Sequence, residues 1–253
     1  MYNFYYIFIN SFKKNFFTVI FKKILKRFEK NTSIEAKKWA ISNVKITTQD
    51  YLKHLDYKLF NETAIAVKEI ENDAEKKLST IDFSLGGAGN YMLLYFLIRK
   101  FKPKIIVETG VAAGWSSLSI LRALHRNGNG KLYSSDFPYF RLKNPENYVG
   151  FLAKKEINYK DWFLDIRGDE IALQNISSMI PDNSVNIFHY DSDKSYSGRL
   201  KAYNIIKRKL SEDAIIIYDD IQNNFHFKDL VNNLKVNYHI FEFKGKYLGV
   251  IGI

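Results

Sequence analysis

Three carboxylates follow two apolar segments of the chain, at points where strands are predicted to end. Asp191 comes after residues 185–190, and Asp219 and Asp220 come after residues 215–218. If the two segments are neighbouring parallel strands, the acids converge at one edge of the sheet. Clustered carboxylates repel each other unless a cation lies among them, and oxygen ligands suit Mg²⁺. The pattern predicts a metal site at these three acids, with helix capping as the alternative.

A metal at these acids would lower the pKa of a bound substrate hydroxyl and orient it for attack. Lys194, three residues after Asp191, offers another positive charge. It can act as a general base only if burial lowers its pKa, and a solvated lysine is the competing interpretation. His189 and His226 lie near the same segments. The candidate catalytic residues are therefore Asp191, Lys194 and Asp219, and the general base stays open.

A glycine-containing turn supplies the second part of the predicted site. It reads Ile105-Ile-Val-Glu-Thr-Gly-Val-Ala-Ala-Gly-Trp-Ser-Ser117, an apolar strand that runs through an acid into a helix. Gly110 and Gly114 remove side chains where a ligand approaches the backbone, and the helix offers free N–H groups. A dinucleotide site needs a third glycine where this chain has Trp115. The turn therefore favours a smaller, nucleotide-like cofactor, with a ligand-free connection as the alternative.

Two further acids follow predicted strands. Asp136 ends the segment 132–136, where a carboxylate can accept hydrogen bonds from ribose hydroxyls. Asp169 follows the strand predicted over residues 162–166 and is expected beside an adenine amino group. A turn or cap is the alternative role for Asp136, and an N-cap is the alternative for Asp169.

The elements that would position these residues alternate as in a doubly wound α/β sheet. Strands are predicted over residues 105–109, 132–135, 162–166, 185–190, 214–218, 238–243 and 248–253. Helices are predicted over residues 91–101, 116–126, 147–155, 171–179, 195–210 and 225–234, with Asn90 capping the first. Residues 34–79 have helical patterns, and residues 84–89 form a flexible loop. We predict a helical N-terminal extension over residues 1–83 and a cofactor-binding domain over residues 84–253.

Three motifs together resemble class I S-adenosylmethionine (SAM) methyltransferases of the small-molecule O-methyltransferase type. They cover residues 108–117, 190–196 and 218–225, and the resemblance extends over residues 84–253. The chain is also similar to macrocin-type sugar O-methyltransferases and cephalosporin-hydroxylase-like proteins. The resemblance implies a seven-stranded, mostly parallel Rossmann-like sheet with an antiparallel last strand. It also implies O-methylation of a small molecule such as a sugar or glycan hydroxyl, with SAM and Mg²⁺ as cofactors.

The resemblance also assigns the cofactor site. It implies that Glu108, Gly110 and Gly114 line the methionine part of SAM, that Asp136 holds the ribose and that Asp169 lies by the adenine. The full predicted cofactor-binding set is Glu108, Gly110, Ala112, Gly114, Ser116, Asp136, Asp169 and Asp191. One departure concerns the acids, because Lys194 stands where many relatives have histidine in Asp-x-Asp-His-Ser-Tyr.

Composition narrows the class of protein. The 253 residues are 46% hydrophobic and 26% charged, as in an ordinary folded domain. The absence of cysteine excludes disulfides and Cys-ligated metals, which is consistent with a cytoplasmic protein.

About half of the net charge of +11 is concentrated in residues 1–30. This segment holds seven Lys/Arg, the single acid Glu29 and ten aromatic residues. Its longest uncharged run is 12 residues, short of the roughly 20 that span a membrane. The lysines alternate with apolar residues as in an amphipathic helix on an anionic membrane surface. Packing on the domain or on a second copy in a homo-oligomer is the alternative.

Two other functional classes compete with a small-molecule methyltransferase. The basic N-terminus suggests a nucleic-acid methyltransferase or binder, but acids dilute the basic residues after residue 30, so a nucleic-acid partner is disfavoured. A non-catalytic, membrane-associated protein that retains the fold is the third hypothesis, motivated by residues 1–30 and Lys194.

Overall fold

The computed structural model describes residues 2–12, 32–154 and 161–253. The strands are β1 (Ile105–Thr109), β2 (Lys131–Ser135), β3 (Trp162–Asp165), β4 (Val185–Tyr190), β5 (Leu210–Tyr218), β6 (Tyr238–Phe243) and β7 (Lys246–Ile251). The described α-helices are α1 (Tyr2–Phe12), α2 (Ser33–Ser42), α3 (Thr48–Leu55), α4 (Tyr57–Leu78), α5 (Tyr91–Phe101), α6 (Trp115–Asn127), α7 (Asp169–Met179), α8 (Tyr196–Ile206) and α9 (His226–Leu234).

One seven-stranded sheet organises these elements, in the order β3-β2-β1-β4-β5-β7-β6. The first five strands pair in parallel, and β7 pairs antiparallel with both β5 and β6. The predicted fold class is therefore confirmed, including the antiparallel last strand. The chain reverses its direction of winding between β1 and β4, and ligands of open α/β sheets bind at such a point.

The pairing of the central strands decides which side chains share a face. In the β1–β4 pair, Glu108 lies opposite His189 and Thr109 lies opposite Tyr190. Glu108 and His189 are both buried, with 0% and 1% of their surface exposed. Two titratable residues thus meet within the sheet at the point where winding reverses.

Two helices position the glycine turn. Asn90 caps α5 as predicted, because its side-chain oxygen accepts the backbone N–H of Leu93 at 3.1 Å. Helix α6 begins directly after Gly114, whose φ of +96° is one that glycine adopts most readily. The rings of Tyr91 and Trp115 stack at 5.4 Å, joining the first turns of the two helices. Trp115, which stands where a dinucleotide site has its third glycine, thus packs against the neighbouring helix.

One predicted helix is wrong. Residues 145–147 form a 3₁₀ turn and residues 148–154 form turns, where an α-helix was predicted over residues 147–155. Gly150 donates its backbone N–H to the carbonyl of Ala112 at 2.8 Å, and Leu152 donates to Ala113 at 2.9 Å. The segment pairs with the glycine turn, so these two N–H groups are not used in a helix. Residue 155 lies outside the described part of the chain.

Smaller corrections concern boundaries. Strand β5 begins at Leu210, four residues before the predicted start, and α8 ends at Ile206. The carbonyl of Lys209 accepts the N–H groups of Ser184 and Val185, which extends pairing toward the start of β4. Strand β7 covers residues 246–251 where 248–253 was predicted.

The N-terminal helices pack on the sheet domain. Leu52, Ala66, Ile70 and Ala74 belong to the same buried cluster as β1 and α5 residues, and Val44 forms a bridge with Ile240 of β6. The boundary after residue 83 stays a prediction. Among the described helices, none has the length and apolar character needed to cross a membrane. The lysines predicted for the amphipathic segment, residues 13–30, lie outside the described residues.

Candidate active site

The glycine turn lies directly against the end of β4. A Cβ atom at Gly110 would lie 2.3 Å from the carbonyl oxygen of Asp191, and Gly110 has a φ of +81°. A Cβ at Gly114 would lie 3.0 Å from Gly150. Both positions therefore require glycine, one for contact with the acid segment and the other for contact with the segment 148–154. Within this turn Ala112 also has a positive φ of 47°, and Ser116 is buried in the first turn of α6.

The two acids predicted to hold ribose and adenine follow adjacent strands. Asp136 accepts the backbone N–H of Ala112 at 2.5 Å, so its carboxylate lies against the glycine turn. Asp169 is the first residue of α7, and its carboxylate accepts the Ser135 hydroxyl at 3.3 Å. Gly168 occupies the N-cap position, so the alternative of Asp169 as N-cap is wrong.

Glu108 lies beneath the turn. One of its oxygens accepts the hydroxyls of Ser117 at 2.6 Å and Ser134 at 2.8 Å. The other oxygen lies 3.8 Å from Nδ1 of His189. On the opposite side of the imidazole, Nε2 lies 3.4 Å from Oδ2 of Asp219. The histidine is therefore sandwiched between two acids.

This sandwich sets the charge of His189. Burial alone would lower its pKa, but contacts with Asp219 and Glu108 outweigh burial and raise the pKa to about 10. The imidazole is therefore a cation at neutral pH. It balances part of the negative charge at the ends of β1 and β5 and cannot accept a proton.

The second pair of acids surrounds Lys194. The ammonium hydrogen-bonds to Oδ1 of Asp191 and lies 3.1 Å from Oδ2 of Asp220. Burial would lower the pKa of Lys194, but the adjacent acids raise it above its ordinary value. Burial would raise the pKa of Asp220, yet Lys194 and Lys246 hold it below its usual range. Lys194 is thus a fixed cation, which disfavours its role as a general base.

Asp191 has a different balance. Burial and the neighbouring Asp219 raise its pKa to about 6, against the opposing effects of Lys194 and His189. A Cβ at Gly89 would lie 2.6 Å from Oδ2 of Asp219 and 3.7 Å from Oδ2 of Asp191. Both carboxylates therefore face Gly89, as the predicted convergence requires.

The predicted metal ligands do not form a metal site in this arrangement. Within residues 2–12, 32–154 and 161–253, no group of three or more His, Asp or Glu side chains is arranged to hold a metal ion. Asp191 and Asp220 direct oxygens at the Lys194 ammonium, which lies where a shared cation would be expected. The donor set therefore does not fit a resident Mg²⁺.

Comparison with known proteins agrees with this geometry. A family model described as a methyltransferase domain matches residues 107–221, from β1 to the turn after β5. Over these residues the chain is similar to methyltransferase domains. No curated protein matches the chain in sequence.

Solved structures resemble this chain in fold. An O-methyltransferase from Bacillus cereus in complex with SAH has 12% identity, a TM-score of 0.57 and coverage of 73% of this chain and 90% of its own. The O-methyltransferase TomG from Streptomyces achromogenes, involved in tomaymycin synthesis and bound to SAM, has 14% identity, a TM-score of 0.58 and coverage of 82% and 99%. A methyltransferase from Geobacter sulfurreducens has 14% identity, a TM-score of 0.55 and coverage of 73% and 90%. Because these sequence identities are only 12–14%, the structural likeness establishes the fold alone.

Arg199, absent from the sequence prediction, supports the acids that follow β5. Its guanidinium is fully buried and donates to the backbone carbonyls of Asp219 at 2.9 Å and Asp220 at 2.8 Å. It also lies over the rings of Tyr190 and Tyr218, at 6.0 and 5.9 Å. An arginine in a helix of mixed polar and apolar residues gives no sequence signal that it turns inward. Arg199 positions the turn after β5.

Two loops meet above the acids. The Tyr139 hydroxyl donates to the carbonyl of Leu85 at 2.6 Å, and Arg141 donates to the carbonyl of Ser84 at 3.1 Å. The loop 84–89 also carries Gly89, which faces Asp219. Tyr139 and Arg141 therefore hold the loop 84–89 over the site.

Two other candidates lie apart from the acids. Tyr196 donates its hydroxyl to Asp229 of α9 at 3.0 Å. His226 is 2% exposed and packs 5.2 Å from the ring of Tyr218. Burial, with a smaller contribution from Arg199, lowers its pKa to about 3, so His226 is neutral.

Proposed function

We propose that the protein is a SAM-dependent O-methyltransferase that acts on a hydroxyl of a small molecule. The observation that carries the proposal is the contact between the glycine turn and the acid segment, where Gly110 leaves room only for the backbone of Asp191. The cofactor turn and the acids thus lie at one edge of the sheet, as a transfer between two bound molecules requires.

The cofactor part of the proposal uses residues on three strand ends. Asp136 would accept the ribose hydroxyls, and Asp169 would lie near the adenine. Gly110 and Gly114 let the turn pack against the end of β4 and the segment 148–154, which fixes the turn beside the methionine part, while Glu108 supports the turn from below through Ser117. Bound SAM supplies an electrophilic methyl group to the acceptor oxygen.

The general base in this proposal is Asp191. Its pKa of about 6 leaves it ionised near neutral pH and close to the optimum for proton transfer. His189 and Lys194 are already cations and cannot accept a proton. His226 is buried, and its lowered pKa makes it a weak base. These three residues are therefore poorer candidates. Asp191 would take the proton of the acceptor hydroxyl, and Asp219 would accept a hydrogen bond from a second hydroxyl.

A hydroxylated acceptor such as a sugar or glycan fits these groups best. The edge of the site presents two carboxylates, the Lys194 ammonium and the Arg141 guanidinium. Adjacent hydroxyls can add hydrogen bonds to these charged groups, whereas an apolar acceptor would remove water from them without adding any. No step is assigned to Mg²⁺, because the acids are directed at protein cations.

Cofactor binding can be tested without the acceptor. We expect SAM and S-adenosylhomocysteine, but not NAD, to raise the unfolding temperature. At a free ligand concentration of 100 times Kd, the gain in unfolding free energy should be about 2.7 kcal/mol. Asp136→Asn should weaken SAM binding in calorimetry, and Asp213→Asn, at an exposed position outside the site, should not. Stabilisation by NAD alone, or no binding of either SAM species, would contradict the proposal.

We further propose that residues 1–30 bring the enzyme to an anionic membrane surface. Helix α1 is fixed to the domain by Asn10, whose amide donates to the carbonyls of Phe140 and Leu142 at 2.8 and 2.9 Å. Its other face exposes aromatic rings, with Phe4 81% and Phe8 65% exposed. At an anionic membrane surface, aromatic rings can be buried at the headgroup boundary while the lysines of residues 13–30 interact with the anionic headgroups.

Vesicle co-sedimentation tests this contact. The full chain should bind vesicles containing phosphatidylserine, and binding should weaken in high salt and with pure phosphatidylcholine. Phe8→Ser should reduce the affinity about tenfold or more, from the lost burial of one ring. Tyr57→Ser, which alters an aromatic residue of equal exposure on α4, is the matched control. Equal binding by both variants would contradict membrane contact through α1.

A further inference from the structure

Two protein cations are built into the acid cluster. His189 lies between Glu108 and Asp219, and Lys194 lies between Asp191 and Asp220. Each acid at the ends of β1, β4 and β5 thus has a cationic neighbour supplied by the chain. Such neighbours reduce the repulsion that otherwise makes clustered carboxylates recruit a metal.

The backbone around Lys194 keeps its ammonium in this position. Lys194 is three residues after Asp191, so the two side chains are linked by a short stretch of chain. The carbonyl of Lys194 accepts the side-chain amide of Asn224 at 2.8 Å, and Asn224 also accepts the N–H of His226 at 3.1 Å. The lysine is therefore tied to the segment that follows the acid pair of β5.

The position of the ammonium prevents the acids from sharing another cation. A divalent ion bound by Asp191 and Asp220 would need the oxygens that now face Nζ of Lys194. Lys246 also approaches Asp220, at 3.6 Å, but its side chain is 58% exposed and it does not reach Asp191 in any described contact. Lys194 is thus the group that blocks joint ligation, and Lys246 provides a control of the same charge.

We propose that Lys194 is a built-in cation that occupies the place of a divalent metal among Asp191, Asp219 and Asp220. Removing its ammonium frees the oxygens of Asp191 and Asp220 to move, with Asp219, toward a hard divalent ion. Its role is positioning, because it holds Asp191 and Asp220 at the separation seen here. The consequence for catalysis, methyl transfer that needs no added metal, rests on the proposed function.

Manganese titration tests the proposal on the full chain. Free Mn²⁺ is measured by electron paramagnetic resonance as the ion is added to wild type, Lys194→Ala, Lys194→Met and Lys246→Ala. We expect wild type and Lys246→Ala to bind weakly, and the two Lys194 variants to bind one ion at least tenfold more tightly. The methionine variant keeps the bulk of the side chain, and urea unfolding confirms that each variant is folded.

Two results would overturn the proposal. One is a wild-type protein that binds Mn²⁺ as tightly as Lys194→Ala. The other is a folded Lys194→Ala or Lys194→Met protein with no gain in affinity. Adding Asp219→Asn to Lys194→Ala should reverse the gain if the three acids form the new site. The titration contains neither SAM nor acceptor, so failure of the proposed function would not alter its outcome.

Discussion

The glycine loop before α5 allows the acid cluster to be perturbed without changing a charged residue. A Cβ atom at Gly89 would lie 2.6 Å from Oδ2 of Asp219, whereas a Cβ at Gly87 would meet no described atom within 4 Å. Neither glycine has a φ in the left-handed region, so both backbones accept alanine. The two alanine variants therefore differ in their overlap with one carboxylate.

The size of the effect follows from the contact that this carboxylate makes. Gly89→Ala must move Oδ2 of Asp219 by about 0.8 Å to restore an ordinary contact of 3.4 Å. The same oxygen lies 3.4 Å from Nε2 of His189, and loss of a hydrogen bond to a charged group costs about 1.5–3 kcal/mol. Both substitutions stiffen the unfolded chain by a similar amount, about 0.4–1 kcal/mol. We expect Gly89→Ala to be about 1.5–3 kcal/mol less stable than Gly87→Ala.

Urea unfolding at pH 7, followed by circular dichroism, measures this difference. The same two substitutions are then made in an Asp219→Ala background, where the overlapping carboxylate is gone. There the cost of Gly89→Ala should disappear, because the two positions are coupled through that contact. A cost that persists without Asp219, or an equal cost for Gly87→Ala, would refute the steric argument.

Three other predictions concern groups that hold the site together. The pKa of His189 is raised to about 10 from an unfolded value of 6.5, so the stabilisation that its positive charge provides is complete below pH 6.5 and is lost as the pH rises toward 10. The unfolding free energy of wild type should therefore fall more steeply between pH 7 and 10 than that of His189→Gln. The difference in slope should be up to about 1.4 kcal/mol per pH unit. Gly110→Ala should lower the unfolding free energy by about 2–5 kcal/mol in urea, because alanine is strained at a left-handed φ and its Cβ overlaps the backbone of Asp191. Gly128→Ala, with φ +74° and no described atom near its Cβ, has the strain alone and should lose about 1–2 kcal/mol. Equal losses would contradict the contact between the glycine turn and the end of β4. Arg199→Met should lose about 1–3 kcal/mol in the same assay for each carbonyl left without a donor, and it should weaken SAM binding. Wild-type SAM affinity in a folded variant would contradict the positioning role of Arg199.

The ends of β1, β4 and β5 could be predicted because each ends in an apolar run followed directly by an acid or a glycine. The fold class followed from the alternation of strands and helices together with the resemblance. The pairing of Glu108 with His189 could not be predicted, because β1 and β4 are buried on both faces and their apolar runs do not specify register. The convergence of Asp191 and Asp219 needed only the order of strands, and it was predicted.

Two other features depended on contacts between distant segments. The segment 148–154 has helical spacing, but the N–H groups of Gly150 and Leu152 bond to the glycine turn, which is 38 residues away between Ala112 and Gly150. Arg199 turns inward because two carbonyls and two tyrosine rings receive it, and none of these is adjacent in sequence. The charge state of Lys194 likewise depends on Asp220, from another strand end.

The bridge between the two loops above the acids joins segments that are distant in the sequence. It consists of two hydrogen bonds, from Tyr139 to Leu85 and from Arg141 to Ser84. The side chain of Leu85 is also buried in the core, with 2% of its surface exposed, so separating the loops would cost the burial of this side chain in addition to about 0.5–1.5 kcal/mol for each hydrogen bond. The loop 84–89 is therefore anchored to the core as well as to the segment after β2, and its position over the acids is part of the folded structure.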